Sequence, residues 1–192
     1  MMHHQCEFSH VTKKYLTRFY EILDEMVCGM TDAKLEDSIS HNFIVQMVPH
    51  HKAAIDMSYN ILQYTTFVPL QNIASTIITE QMHSIENMMC ALDRCSALCS
   101  SEQDLCLYQR RFDQIAETMF CEMRTACATN DINANFMREM IPHHRGALRM
   151  CENALRFSIC PELDPIIQAI LVSQRAGIRE MERLLRCLGA CA

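Results

Sequence analysis

The sequence has no tryptophan, only four glycines and five prolines in 192 residues, and no apolar run long enough to cross a bilayer. A membrane span needs roughly 18 to 20 predominantly apolar residues, so no membrane segment is expected. An all-β fold draws heavily on glycine and proline for its tight turns, and their scarcity disfavours one. Positive charge is also short: 17 Lys and Arg stand against 23 Asp and Glu, for a net charge of -6. A dedicated nucleic-acid binder needs a basic face, so that class is set aside. No glycine-rich phosphate loop, nucleophile elbow or HExxH metalloprotease motif occurs. The opening Met1-Met2-His3-His4-Gln5-Cys6-Glu7-Phe8 has no apolar h-region. No secretory leader is therefore expected, and the cytoplasm is the expected compartment.

Three residue types are abundant instead: 12 Cys, 15 Met and 9 His. Without an export signal the cysteines are expected as reduced thiols, either core filler or soft-metal ligands. At 49% hydrophobic residues the chain is too apolar for disorder, and its length suits one domain with a sizeable core.

The sequence matches itself. A shift of 93 residues aligns 15–92 with 108–185 without gaps, and 26 of the 78 positions are identical, against roughly 5 expected from ordinary composition. The identities include Tyr15/Tyr108, Phe19/Phe112, Met26/Met119, Phe43/Phe136, Met47/Met140, Pro49/Pro142, His50/His143, His51/His144, Met57/Met150 and Gln81/Gln174. Two tandem three-helix repeats are expected, about 15–95 and 108–188, within one domain spanning 12–190 after a flexible tail at 1–11.

The spacing inside each repeat is helical. Tyr15, Phe19, Ile22, Met26 and Met30 step by four or three residues, as do Phe43, Met47, His50, Ala54, Met57 and Ile61. Leu70, Ile73, Ile77, Gln81, Ile85, Met88 and Leu92 form a third stripe. The fold class is therefore all-α. Helices are expected near 12–30, 39–65, 69–95, 103–128, 132–158 and 164–188, with 96–104 as the linker. Ser38 and Asp131 are expected N-caps, and Asp164-Pro165 is expected to supply a cap followed by proline at the first helical position.

The strongest local signal is Met47-Val-Pro-His50-His51 with Ala54 and Met57, repeated as Met140-Ile-Pro-His143-His144 with Ala147 and Met150. His50 shares the core stripe, and His51 lies about 100° further round the helix. Met47 can meet either imidazole at i+3 or i+4. Met57 is seven residues beyond His50, about 10 Å along the axis, and is expected to complete a neighbouring site with a facing helix. Pro49 and Pro142 directly precede the pairs. Each either bends a helix, at a cost of roughly 3 kcal/mol, or marks the first turn of a shorter one.

Thioether and neutral imidazole together suit Cu(I) and, by the same softness, Ag(I). The other reading makes the four histidines hydrogen-bonded core residues of a structural or interaction module.

The pattern Phe-x3-Met-x-Pro-His-His-x2-Ala-x2-Met followed by Gln-x3-Ile-x2-Met, present twice, resembles the bacterial domain of unknown function family 305. The resemblance covers about 39–92 and 132–185. It implies a ferritin-like helical bundle, with copper binding in some members. Carried over position by position, it implies Met47, His50, His51, Met57, Met140, His143, His144 and Met150 as metal ligands, with copper as the partner ion.

Weaker signals point elsewhere. Met26-Val-Cys28-Gly-Met30 and Met119-Phe-Cys121-Glu-Met123 put two methionines on one helix face and the cysteine on another, so packing is the expected role. Cys90, Cys95, Cys99 and Cys106 gather near the linker as a weak thiophilic cluster that fits no CxxC zinc pattern. His3, His4, Cys6 and His10 could capture metal on the tail, but a solvated tail is the expected role. A symmetric di-iron centre wants Glu-x-x-His on two helices. Glu80-Gln-Met-His83 has the counterpart Ser173-Gln-Arg-Ala176, which argues against such an enzyme. The sequence thus reads as a non-enzymatic metal-binding or buffering protein, one His-His/Met site on each repeat, with a homo-oligomer left open.

Overall fold

Among the described residues six helices follow one another: α1 (His10–Thr31), α2 (Ile39–Leu62), α3 (Val68–Ser96), α4 (Glu102–Arg124), α5 (Ile132–Ala154) and α6 (Leu163–Cys187). The structure, a computed structural model, describes residues 7–189, and there is no strand among the described residues. The expected helices are all present. α4 and α5 each end four residues earlier than expected, while α1 begins two residues sooner.

Local chemistry accounts for most of the starts. The side chains of Ser9, Ser38 and Ser101 each accept a backbone N–H three residues on. Asp131 takes two, from Asn133 and Ala134. Ser38 and Asp131 therefore cap as their sequence implies. Ser9 also corrects the expected tail, because His10 and Val11 belong to α1. His3, His4 and Cys6 lie outside the described residues. The Asp164-Pro165 expectation is corrected as well: α6 begins at Leu163 after Glu162, with no side-chain cap. Pro165 still falls within the first turn, where its missing N–H costs nothing.

α2 and α5 are the central helices. Each packs against its chain neighbours and against the other, while α3 and α6 meet alongside. Contact on several faces explains why polar residues such as Gln46, Asn60, Glu139 and Asn153 are buried on them together with the expected apolar stripe. Positions 93 apart make matching bonds. Asn60 Nδ2 donates to Tyr15 O and Asn153 Nδ2 to Tyr108 O, both at 3.1 Å. Asn42 brackets the backbone of Glu36, and Asn135 does the same at Thr129. Among the described residues no helix is long and apolar enough to cross a membrane.

Candidate metal centre

Pro49 and Pro142 both stand in helix interiors, ten residues past the first residue of α2 and α5, so neither opens a helix. Gly29 lets α1 approach the first of them: a Cβ there would lie 2.8 Å from Pro49 Cβ. Directly after the prolines, the two central helices bring His50 and His143 face to face. Their rings stack with centroids 3.7 Å apart and planes 27° from parallel.

Each ring also reaches the other helix's backbone. His50 Nε2 lies 3.2 Å from the carbonyl oxygen of His143, and His143 Nε2 lies 3.1 Å from that of His50. A carbonyl only accepts, so both Nε2 atoms carry hydrogen and donate. Each neutral ring therefore keeps its lone pair on Nδ1. Both Nδ1 atoms are buried without a hydrogen-bond partner. Burial first, then the neighbouring imidazoles, drives the pKa of His50 well below its ordinary value. Burial lowers that of His143 to about 4, although its bond to the His50 carbonyl works the other way.

His51 and His144 diverge from this stack. Their centroids lie 5.8 Å from those of His50 and His143 respectively. His51 turns to α3, where its Nε2 meets Ser84 Oγ at 3.0 Å. The position equivalent to Ser84 is Gly177, and a Cβ there would sit 2.9 Å from His144 Cδ2 and Nε2. His144 therefore packs against bare backbone and borders a cleft of about 490 Å³ between α3 and α6, lined in part by Ile77, Glu80 and Ser173. Both Nδ1 atoms are again buried and unpartnered. Burial, followed by the charge of His143, lowers His51 to about 3 and depresses His144 strongly.

Met47, Met57, Met140 and Met150 belong to the buried hydrophobic core, and the four histidines are buried as well. The pairing of imidazoles nevertheless differs from the expected one site per repeat. The closest contact joins His50 of one half to His143 of the other, whereas the sequence-adjacent partners point to different helices. Among the described residues, no group of three or more His, Cys, Asp and Glu side chains converges as a metal site.

The linker cysteines do not cluster: Cys90, Cys99 and Cys106 are exposed and only Cys95 is buried. Met26, Met30, Met119 and Met123 are core residues, and Cys28 and Cys121 face outward, as their spacing implies. His83 and Glu86 form an exposed pair at 3.9 Å.

One buried carboxyl escaped the sequence reading. Glu139 accepts a 2.5 Å hydrogen bond from Tyr15, and burial raises its pKa to about 8 against the opposing effect of that bond. Its counterpart Gln46 receives a longer bond from Tyr108, 3.4 Å. The signal was an acidic residue replacing a neutral one between two core positions of the repeat.

Ser84 gives a direct test of how tightly these rings are held. Ser84→Ala leaves a buried His51 nitrogen unpaired, an expected loss of about 1–3 kcal/mol. Thermal melting should show a fall of several degrees for a chain of this size. An unchanged Tm would mean that the ring can turn to another partner.

Similar proteins carry the same arrangement of helices. CopM in an Ag-bound form is 27% identical, with a TM-score of 0.58 over 77% of this chain and 95% of that chain. CopM in a Cu(II)-bound form is 25% identical, with a TM-score of 0.59 over 78% of this chain and 97% of that one. A DUF305 fragment from Deinococcus radiodurans is 25% identical, with a TM-score of 0.57 over 81% and 98%. Comparison with curated proteins gives no match. The family described as "Domain of unknown function (DUF305)" matches residues 24–92 and 40–185, together most of the sequence, and the chain belongs to that family.

Proposed function

We propose that this protein binds or buffers a soft metal ion, Cu(I) above all, through the histidines and methionines of its two central helices. The observation that carries the reading is the set of four buried, unpartnered Nδ1 atoms on His50, His51, His143 and His144. A buried polar atom without a partner ordinarily costs about 1–3 kcal/mol, so four in equivalent positions call for a purpose. For His50 and His143 the carbonyl bonds hold the tautomer that leaves Nδ1 as a lone-pair donor, the second-shell device by which metal-binding imidazoles are oriented. Depressed pKa values keep the rings neutral near pH 7, as ligation requires.

The thioethers of Met47, Met57, Met140 and Met150 complete the proposed donor set. Thioether and imidazole favour Cu(I) over hard cations, and neither loses a proton on binding. Silver- and copper-bound forms of CopM lend support from a similar fold. On this reading the two three-helix halves are tandem copies whose paired motifs supply one centre from both sides. The cytoplasm, which keeps thiols reduced, is the setting assumed.

X-ray absorption of a variant with serine at every cysteine, loaded anaerobically with one equivalent of Cu(I), tests the donor set. A mixed nitrogen and sulfur shell is expected, and its nitrogen component should vanish when all four histidines are alanine. A nitrogen-free shell in the cysteine-free protein with its histidines intact would overturn the assignment.

A further inference from the structure

Where α3 ends and α6 begins, thiols from opposite halves of the chain meet. Cys95 lies in the last turn of α3, and Cys160 lies just before α6. Both are buried, at 0% and 2% exposure, and the two thiols neighbour one another, with Glu162 bridging Cys160 to Arg94 beside Cys95. The start of α2 pins the backbone beneath both sulfurs. Ser38 Oγ donates to the Cys95 carbonyl at 2.7 Å, and Cys160 N–H donates to Ser40 Oγ at 2.8 Å. The Cys160 thiol also donates to Glu162 Oε2 at 2.9 Å, while Arg94 Nε holds the other oxygen of that carboxylate at 3.0 Å. The positions equivalent to this pair, 93 residues away, are Leu188 and Phe67, neither of which can ligate. The thiol pair therefore belongs to one end of the bundle alone and is not a by-product of the repeat.

We propose that Cys95 and Cys160 form a second soft-metal site, a two-thiolate clamp for a monovalent d10 cation, separate from the histidine centre. Soft thiolates select such ions, and two donors suffice for linear coordination. On binding, two S–H bonds break and two metal–sulfur bonds form. No electron is transferred, and two protons leave, that of Cys160 by way of the Glu162 carboxylate it already touches. The Arg94 guanidinium offsets the negative charge of the resulting dithiolate. Burial, reinforced by Cys160 and Glu162, pushes the Cys95 thiol up to about 12. Cys95 therefore stays protonated until a soft cation displaces its proton.

The experiment is an anaerobic Cu(I) titration against a chromogenic chelator, in a full-length background whose cysteines other than Cys95, Cys151 and Cys160 are serine. Ultraviolet thiolate-to-metal charge transfer is the readout, because imidazole and thioether ligands do not produce it. One equivalent with that absorbance is expected. It should persist when Cys151→Ala or the four histidine replacements are added, and disappear with Cys95→Ala plus Cys160→Ala. Cys160→Ser alone keeps the backbone bond to Ser40 and guards against a folding defect in the double variant; it too should lose the band. Absorbance retained without Cys160, or no absorbance in the background protein, would overturn the proposal. So would a mass 2 Da below the reduced value in the form that also carries Cys151→Ala, which shows a Cys95–Cys160 disulfide. Failure of the histidine reading would appear separately, as unchanged nitrogen ligation in the histidine variants.

Discussion

In protein with serine at Cys95 and Cys160, replacing His50 and His143 together by glutamine is expected to weaken Cu(I) binding by more than about 100-fold, roughly 2.7 kcal/mol, while costing the fold only about 1–2 kcal/mol. The two effects separate because the two ring nitrogens do different things. Nε2–H donates to the opposite backbone carbonyl, and a glutamine amide can make the same donation from a similar reach. Nothing in glutamine replaces the lone pair at Nδ1, the atom that is buried and unpartnered in the parent. Removing an outer-shell partner of a metal ligand typically costs 10- to 100-fold, so loss of two ligands should exceed that range. With Cys95 and Cys160 replaced by serine, alanine at His50, His51, His143 and His144 together should abolish tight binding with helicity retained, although the vacated core volume will lower Tm further. If the histidines were only packing fixtures, glutamine would satisfy the carbonyls and the chelator competition would not change. That outcome would sink the metal centre.

The sequence made the helices, the caps at Ser38 and Asp131 and the buried stripes legible, because each depends on residues within a few positions of one another. Periodicity shows which face is apolar but not which helix covers it. Pro49 and Pro142 could open a helix or interrupt one until the residues before them proved helical, packed by Phe43, Met47 and their counterparts. The same limit explains why a site on each repeat was expected, when His50 instead stacks on His143 from 93 residues away. His51 and His144 were read as equivalent, and their sequence contexts are. What separates them is Ser84 against Gly177, on helices whose packing no spacing within the motif encodes. Cys95 with Cys160, and Tyr15 with Glu139, are likewise contacts between distant segments. Chemistry-bearing residues could be named from sequence, but their partners required the fold.

Buried histidines and a buried glutamate should give the stability of this protein a narrow pH dome. His51 and His143 are held at about 3 and about 4, below the 6.5 of a free imidazole. Below pH 6.5 the unfolded chain therefore takes up protons that the fold refuses, and stability is lost as pH falls towards those lower values. At pH 5 this amounts to about 2 kcal/mol for each, or about 4 kcal/mol for the two. His50 and His144 shift in the same direction. Against a total of about 5–15 kcal/mol, that is a large share of the stability in mild acid. Glu139 acts in the opposite sense. Its folded pKa of about 8 stands above the ordinary 4.5, so its contribution is present in acid and is lost as pH rises from 4.5 to 8, by about 4 kcal/mol. The two slopes cross near neutrality, and urea midpoints measured from pH 4 to 9 should peak at about pH 6.5–7. Glu139→Gln retains an acceptor for Tyr15 and cannot ionise, so its curve should stay level above pH 7 while the parent's declines. Parallel curves for parent and variant would show that Glu139 is not the group that limits stability in alkali.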